Sequence, residues 1–450
     1  MTGEKKARKT MSPRSVGNAL ANRLSRGRLS IVRVLGTLDL IVAKEIRHNL
    51  VSYKFYIITV LMTILILASI LMMYRDYGLA RENYETLESL SSTSRDATAV
   101  IPPTPLSIFV KGLDDNLCRS YSPGALNIEV SSKQQSVNKV FRLFTTPDLL
   151  YVIKVVLSLC AMLFAFDMVC GEKEAGTLRQ SLSSSLGRPL LLLGKWIGGF
   201  TSFIVPLFLA VLLGTAFVTL QPRVAMSPQD WASLGVFLLS SVIYLAVFFS
   251  LGLLISCLTH QPSSALVVSL SVWTLLVFLI PNLGNILAQE LVEIPTVQQL
   301  EVARTYNYWR MRFERQRLGD TREFRKFFDR AGAESNQLAE DYRNRFNKLL
   351  AVSQNITRIS PAAAFTFLAT DLTGTGVAEE RRLKSAVLQY GHTIDKWQGR
   401  REPRPVFRYQ RSTCGETLAQ GGLGNLLILL LFGILLGTGA YVAFLRYDVR

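Results

Sequence analysis

The stretch Cys170–Trp196, "CGEKEAGTLRQSLSSSLGRPLLLLGKW", is a polar interruption lodged between two long apolar runs. A hydrocarbon layer of roughly 30 Å takes about 20 helical residues to cross. Working outward from the interruption, that length is met at 55–74, 149–169, 196–220, 232–258, 263–288 and 423–445. Backbone groups in lipid have to be satisfied within each segment, so these runs are helices. The expected fold class is an all-α polytopic membrane protein with six transmembrane helices.

Composition agrees. The chain is 49% hydrophobic yet carries 50 Lys+Arg against 33 Asp+Glu, a net charge of +17, a pairing seldom seen in soluble globular proteins. The first 54 residues hold twelve Lys/Arg and only Glu4, Asp39 and Glu45 as acids. A basic leader of that length, followed by so long an apolar run, reads as retained rather than as a cleaved signal, and the positive-inside tendency keeps it cytoplasmic. Six crossings return 446–450 to the cytoplasm and place 75–148 and 289–422 outside a plasma or inner membrane. Of the five cysteines, Cys118 and Cys414 fall outside; they either form a disulfide or are two unrelated thiols. Cys160 and Cys257 sit inside spans as small packing residues.

Residues 1–30 form a basic tail without apolar period, expected to be disordered and suited to anionic lipid. Over 31–54 the steps Leu38, Ile41, Val42, Ile46 and Leu50 oppose Lys44, Arg47 and His48, which predicts an amphipathic helix lying in the cytoplasmic interface. Loop 75–148 reads as a small irregular or strand-containing domain. Loop 289–422 reads as mainly helical: a hairpin from "EIPTVQQLEVARTYNYWRMRFERQRL" and "NQLAEDYRNRFNKLL", a short helix in "ISPAAAFTFLATDLTGTGV", a further helix to about Trp397, and an extended "REPRPVFRYQ".

Within the opening stretch, loop 170–195, Gly171 and Gly187-Arg188-Pro189 bracket a predicted short helix. Ala175, Leu178, Leu182 and Leu186 make one apolar stripe to rest on the bundle, leaving Gln180, Ser183 and Ser184 elsewhere. Lys173, Arg179 and Arg188 add positive charge fitted to an acidic cleft or to lipid headgroups.

"GEKEAGTL", the following basic-Pro pair and "LLLLGKWIGG", set between the second and third of six spans, resemble the ABC-2 superfamily of export permeases. "VAKEIRHNLVSYKFYI" is similar to that family's connecting helix, and "ISPAAAFTFLATDLTGTGV" to a subgroup with a large domain before the last span. The resemblance covers about half of the chain. It implies that the 170–195 loop is a coupling helix that docks on a separate ATP-binding-cassette subunit, with Glu172, Glu174, Gly176, Thr177 and Leu178 at the matching positions; the charges Lys173 and Arg188 and the stripe residue Leu182 complete the expected contact set. It also implies that ATP and Mg²⁺ belong to the partner ATPase, that two permease copies or relatives pair, and that the outer domains meet over the exit, where an envelope protein is a further candidate partner. No cofactor is expected in this chain. Gly194-Lys195-Trp196 lacks both the upstream glycine and the Ser/Thr of a phosphate-binding loop.

Four residues are candidates for a pathway or gate. Lys154 is a charge well inside a span; it either snorkels to the interface or faces the interior to meet an anionic substrate or Asp148. Pro206, Pro281 and Asn282 interrupt spans three and five, as hinges or as plain kinks. Asp167 is placed to cap or to pair with Lys173. His48, His260 and His392 are dispersed, with no metal spacing. The arginine-rich aromatic helix in 289–422 lies outside the cell in this topology, which argues for lipid or a protein partner and against nucleic acid. A scaffold or sensor recruiting an envelope partner is the alternative function. An intramembrane enzyme ranks last, since no nucleophile and base pair up within the spans.

Overall fold

The computed structural model describes residues 36–93, 99–114, 120–123, 128–131, 147–183, 187–295, 297–319, 321–397 and 405–447. The basic tail, Cys118 and its proposed pairing, and Ser184 and Leu186 of the opening stretch lie outside them. Among the described residues six helices are long and apolar enough to cross a membrane: Tyr53–Ser89, Leu149–Glu174, Arg188–Thr219, Pro228–Leu258, Pro262–Leu291 and Cys414–Leu445, hereafter spans one to six. The chain is a multi-pass membrane protein. A helix α1 (36–51) precedes span one. The helix of span one continues to Thr93 for 41 residues, about 60 Å at 1.5 Å per residue, so it stands well clear of a bilayer.

Spans two and four form the centre: 67% of each apolar window is buried, against 11% for span six. Around them the sequence supplies small and aromatic residues in complementary positions. Gly252 lets span four approach span two so closely that an added Cβ would sit 2.6 Å from the Met162 carbonyl oxygen. The Tyr244 ring stacks on Phe365 at 4.4 Å. Span two is π-helical over Val152–Leu157, and there the Tyr244 hydroxyl donates to the Lys154 carbonyl (2.8 Å) while Trp273 Nε1 donates to Ser158 Oγ (2.9 Å). Polar side chains from neighbouring spans thus take up backbone and hydroxyl groups that lipid cannot satisfy.

The first insert, expected to be irregular or strand-containing from residue 75, instead begins as the continuation of the span-one helix to Thr93. Ser120–Pro123 (β1) pairs antiparallel with Ile128–Ser131 (β2), a small ribbon in an otherwise helical fold. The other insert contributes helices numbered after the short helix α2 (Thr177–Ser183): α3 (Val297–Leu318), α4 (Arg322–Thr357), α5 (Pro361–Leu372) and α6 (Val377–Trp397). Helices α3 and α4 make the hairpin, tied by Arg310 to Glu334 at 3.4 Å. Helix α5 does not stay with the rest of its insert. Capped by Ser360, whose hydroxyl also donates to the Leu276 carbonyl of span five, it buries Ala364, Phe365, Leu368 and Ala369 against spans four and six. An Ala/Phe-rich surface has no other place to leave water.

The inserts meet at one end of the bundle. Leu113 N–H donates to the Thr375 carbonyl at 2.8 Å, and Arg411 donates to the carbonyls of Gly374 and Pro102, both at 2.9 Å. At this contact Gly112 adopts φ +48 with Thr375 where a Cβ would stand. Beside it Asp371 is pushed up to about 6 by burial, with Arg381 and Arg358 pulling the other way.

Two outcomes are expected. Gly252→Val should lower stability by about 1–3 kcal/mol through overpacking, read as a fall in the thermal midpoint of the detergent-solubilised protein; Gly235→Ala, with nothing within 4 Å, should leave it unchanged. For Asp371, the folded state favours the protonated acid, so its stabilisation is fully present near pH 4 and is lost as pH rises through about 6. Asp371→Asn should therefore flatten the stability profile between those limits by on the order of 3 kcal/mol; an unchanged profile would refute the assignment.

Candidate functional site

At the other end of the bundle, α1, the end of span two and the start of span three converge on a buried lysine. Lys195 Nζ lies 3.1 Å from Glu45 Oε1 and 2.8 Å from Glu172 Oε1, with the lysine side chain 3% exposed. An ammonium in so dry a place is tolerated only if paired and hydrogen-bonded. Glu45 comes from α1, Glu172 from the last turn of span two and Lys195 from the second turn of span three. One side chain therefore fixes three helices.

The approach of α1 depends on glycine. Gly194 and Gly198 lie on one face of span three, four residues apart; a Cβ on the first would meet Ile41 Cγ2 at 2.5 Å, and on the second Glu45 Cβ at 2.8 Å. This small-xxx-small spacing lets helix backbones come close. As a local motif Gly194-Lys195 is only an incomplete phosphate-binding loop, and Glu45 only an acid in a basic leader. The signal available was a lysine between two glycines four apart, near an amphipathic helix with an acid on its apolar side.

Two further cations cap helix ends here. Lys173 Nζ donates to the carbonyls of Cys257 (2.5 Å) and Thr259 (2.9 Å) at the C-terminus of span four, and lies over the Tyr447 ring. Arg188 donates to the carbonyls of Leu445 (3.1 Å) and Tyr447 (3.2 Å) at the C-terminus of span six. Both fill the orphan acceptors of a helix end and oppose the negative pole of its dipole. Their charge is spent inside the fold, not offered to an acidic cleft. Asp167 pairs with Lys54 instead of Lys173, because Lys173 is already committed to span four. Between Ala165 and Cys170 the helix of span two loosens into a turn, and Ser256 Oγ accepts from the Val169 (2.9 Å) and Cys170 (3.0 Å) amides.

The break in the opening stretch is at Gly176, φ +71, and not at Gly171, which is helical within Cys170–Glu174. Past this turn α2 buries Leu178 and half-buries Leu182, as the stripe required; Ala175 is exposed. Glu174, Gly176, Thr177, Arg179 and Gln180 face outward. The expected contact set therefore divides. Glu172, Lys173, Leu178, Leu182 and Arg188 hold α2 to the bundle, while Glu174, Gly176 and Thr177 are presented on its surface. Of the pathway candidates, Lys154 and Pro281 line one cavity, remote from α2 along span two. Pro206 lines a separate apolar groove beside α1 and span one. Asn282 Nδ2 donates to the Phe278 carbonyl (2.9 Å), within span five.

Lys195→Met leaves two buried carboxylates facing one another and should cost about 3–5 kcal/mol, seen as a large drop in thermal midpoint. Replacing the whole triad, Glu45→Gln with Lys195→Met and Glu172→Gln, should recover most of it; equal loss in both would show that the lysine acts through packing alone.

Comparison with known proteins follows the same lines. Residues 40–449 match the family model described as ABC-2 family transporter protein. A probable ABC transporter permease protein NosY from Stutzerimonas stutzeri is 37% identical over 124 residues, 26% of this chain and 43% of that protein. A protein of the same description from Pseudomonas aeruginosa is 36% identical over 126 residues, 27% of this chain and 44% of its own length. The chain thus spans less than half the length of these relatives. Six spans, the paired lysine behind α2 and a family match over nearly the whole described chain lead to one conclusion: this protein belongs to the ABC-2 family of transporter proteins.

Proposed function

We propose that this chain is the membrane-spanning subunit of an ATP-binding-cassette exporter, and that α2 is the element on which a separate ATPase subunit acts. The observation that carries the reading is the mounting of α2: an outward face of Glu174, Gly176, Thr177 and Gln180 stands one turn from a buried ion cluster that clamps α1, span two and span three. A push on such a surface is not absorbed by a floppy loop. The names of the relatives, probable ABC transporter permeases, support the same reading.

In this reading the joint lies in the cytoplasm of a cell with the inserts outside, ATP and Mg²⁺ are held by the partner, and a second copy or a related permease completes the translocator. The exposed apolar faces of spans five and six, such as Ile286 and Leu287 in the one and Leu427, Leu431 and Ile434 in the other, suit a lipid or subunit boundary. The chain performs no covalent step. Nucleotide binding to the cassettes has to favour one arrangement of the bundle over another, and moving a population from 1:99 to 99:1 takes about 5.5 kcal/mol of differential binding. The triad delivers that preference to three helices at once.

The test uses the purified full-length chain with its candidate cassette ATPase. Glu174→Ala/Thr177→Arg/Gln180→Asp alters the outward face and leaves the clamp intact, so its thermal midpoint should match the wild type. Pull-down and stimulated ATP turnover should fall by about tenfold or more, the effect of losing over 1.4 kcal/mol at an interface centre. Unchanged binding and turnover would refute α2 as the coupling element and favour a scaffold acting through the inserts.

A further inference from the structure

Span two, span five, α4 and α5 enclose a cavity of about 270 Å³ at the end of the bundle that carries the inserts. Its wall is largely apolar, with Pro281 and Phe367 among the lining, but it also holds Lys154, Asn285 and Gln354. Lys154 is the one charged residue of that lining among the described residues.

The hydroxyl protons of the wall are engaged with partners of their own. The Ser353 hydroxyl donates to Asn285 Oδ1 at 2.6 Å, which orients the amide and leaves its Nδ2 uncommitted. The hydroxyls of Thr357 and Thr366 donate to the carbonyls of Ser353 and Ala362, each at 2.8 Å, within their own helices. The acid that acts electrostatically on Lys154 is Asp148. That carboxylate caps the start of span two, accepting from the amides of Tyr151 (2.8 Å) and Lys111 (2.9 Å), and it makes no ion pair with Lys154 among the described residues. The Lys154 carbonyl, in contrast, is fixed by Tyr244 and Ser158. The π-helical turn thus holds the lysine in register facing α5, with no carboxylate at contact distance among the described residues.

An ammonium and two amides stand on an apolar wall, and the one formal charge among them is positive. A charged side chain kept at membrane depth without a partner is costly, and an apolar cavity with a few polar groups is the usual form of a small-molecule site. We propose that this cavity binds the acidic headgroup of an amphiphile, a phosphate or carboxylate attached to an apolar portion. Lys154 supplies the countercharge, Asn285 and Gln354 donate to the acid oxygens, and Pro281 and Phe367 pack the adjoining carbons. The site stands apart from the coupling reading, since binding is a property of this chain without ATP or a partner.

The test is native mass spectrometry of the detergent-released full-length chain titrated with dioleoyl phosphatidylglycerol and, separately, dioleoyl phosphatidylcholine. Wild type should prefer the anionic lipid by about tenfold, the scale of a hydrogen-bonded charge contact. Lys154→Met should abolish the preference and Lys154→Arg should keep most of it. Val277→Trp, which fills the cavity and leaves the lysine, should also abolish it. Millimolar inorganic phosphate distinguishes the source: displacement of the lipid shows a site for the free anion, and no displacement shows one for the lipid headgroup. A preference that survives both Lys154→Met and Val277→Trp, or no preference in the wild type, would overturn the proposal and leave Lys154 as a side chain that merely reaches the interface.

Discussion

The arrangement of one whole end of this molecule depends on the need to neutralise Lys195. A lysine in a dry interior has to find its carboxylates or lose its proton, and here it finds two, from helices far apart in sequence. Satisfying it positions α1 across span three, which in turn requires the glycines at 194 and 198. It also holds the last turn of span two, and so determines where the chain leaves the bundle to form α2. The ion cluster contributes geometry more than net stability, since buried pairs roughly offset their own desolvation.

The same economy appears at the helix ends. Spans four and six finish close to the joint with carbonyls that have no helical partner, and Lys173 and Arg188 occupy them. Because both cations come from the polar stretch between spans two and three, that stretch is stitched to the termini of two other spans as well as to α1. Helix α1 and spans two, three, four and six are therefore tied through the side chains of one short segment. A polar sequence of this kind is retained in an apolar chain because it closes acceptors that lipid cannot.

Much of this was legible in the sequence. Six apolar runs of sufficient length, the amphipathic α1, the helical hairpin and the Pro-started α5 all follow from local pattern, and local pattern survives into the structure because each run must satisfy its backbone within itself. What escaped was pairing across distance. Lys173 and Arg188 read as outward charges because periodicity says which face of α2 is polar, but not that neighbouring helix ends need donors. Glu45 read as one more residue of a basic leader, and Gly176 was passed over for Gly171 because only the backbone shows which glycine needs a positive φ. Helix α5 read as part of an external domain since its neighbours in sequence are polar; its Ala/Phe face packs on spans four and six for reasons that only the tertiary fold supplies.

Span two connects the two ends. At one end Ser256 takes its loosened amides and Glu172 enters the ion cluster; at the other, Tyr244 and Trp273 hold its π-helical turn and the Ser158 hydroxyl beside it. Between these anchorages it is among the most buried of the six spans, and close-packed interiors transmit displacement rather than absorb it. A movement of the joint along span two would therefore be delivered at Lys154, the residue whose ammonium lines the cavity, through contacts that span four and span five make on either side of it. The helix that carries Glu172 at one end carries Lys154 near the other, so the ion cluster and the cavity share one element.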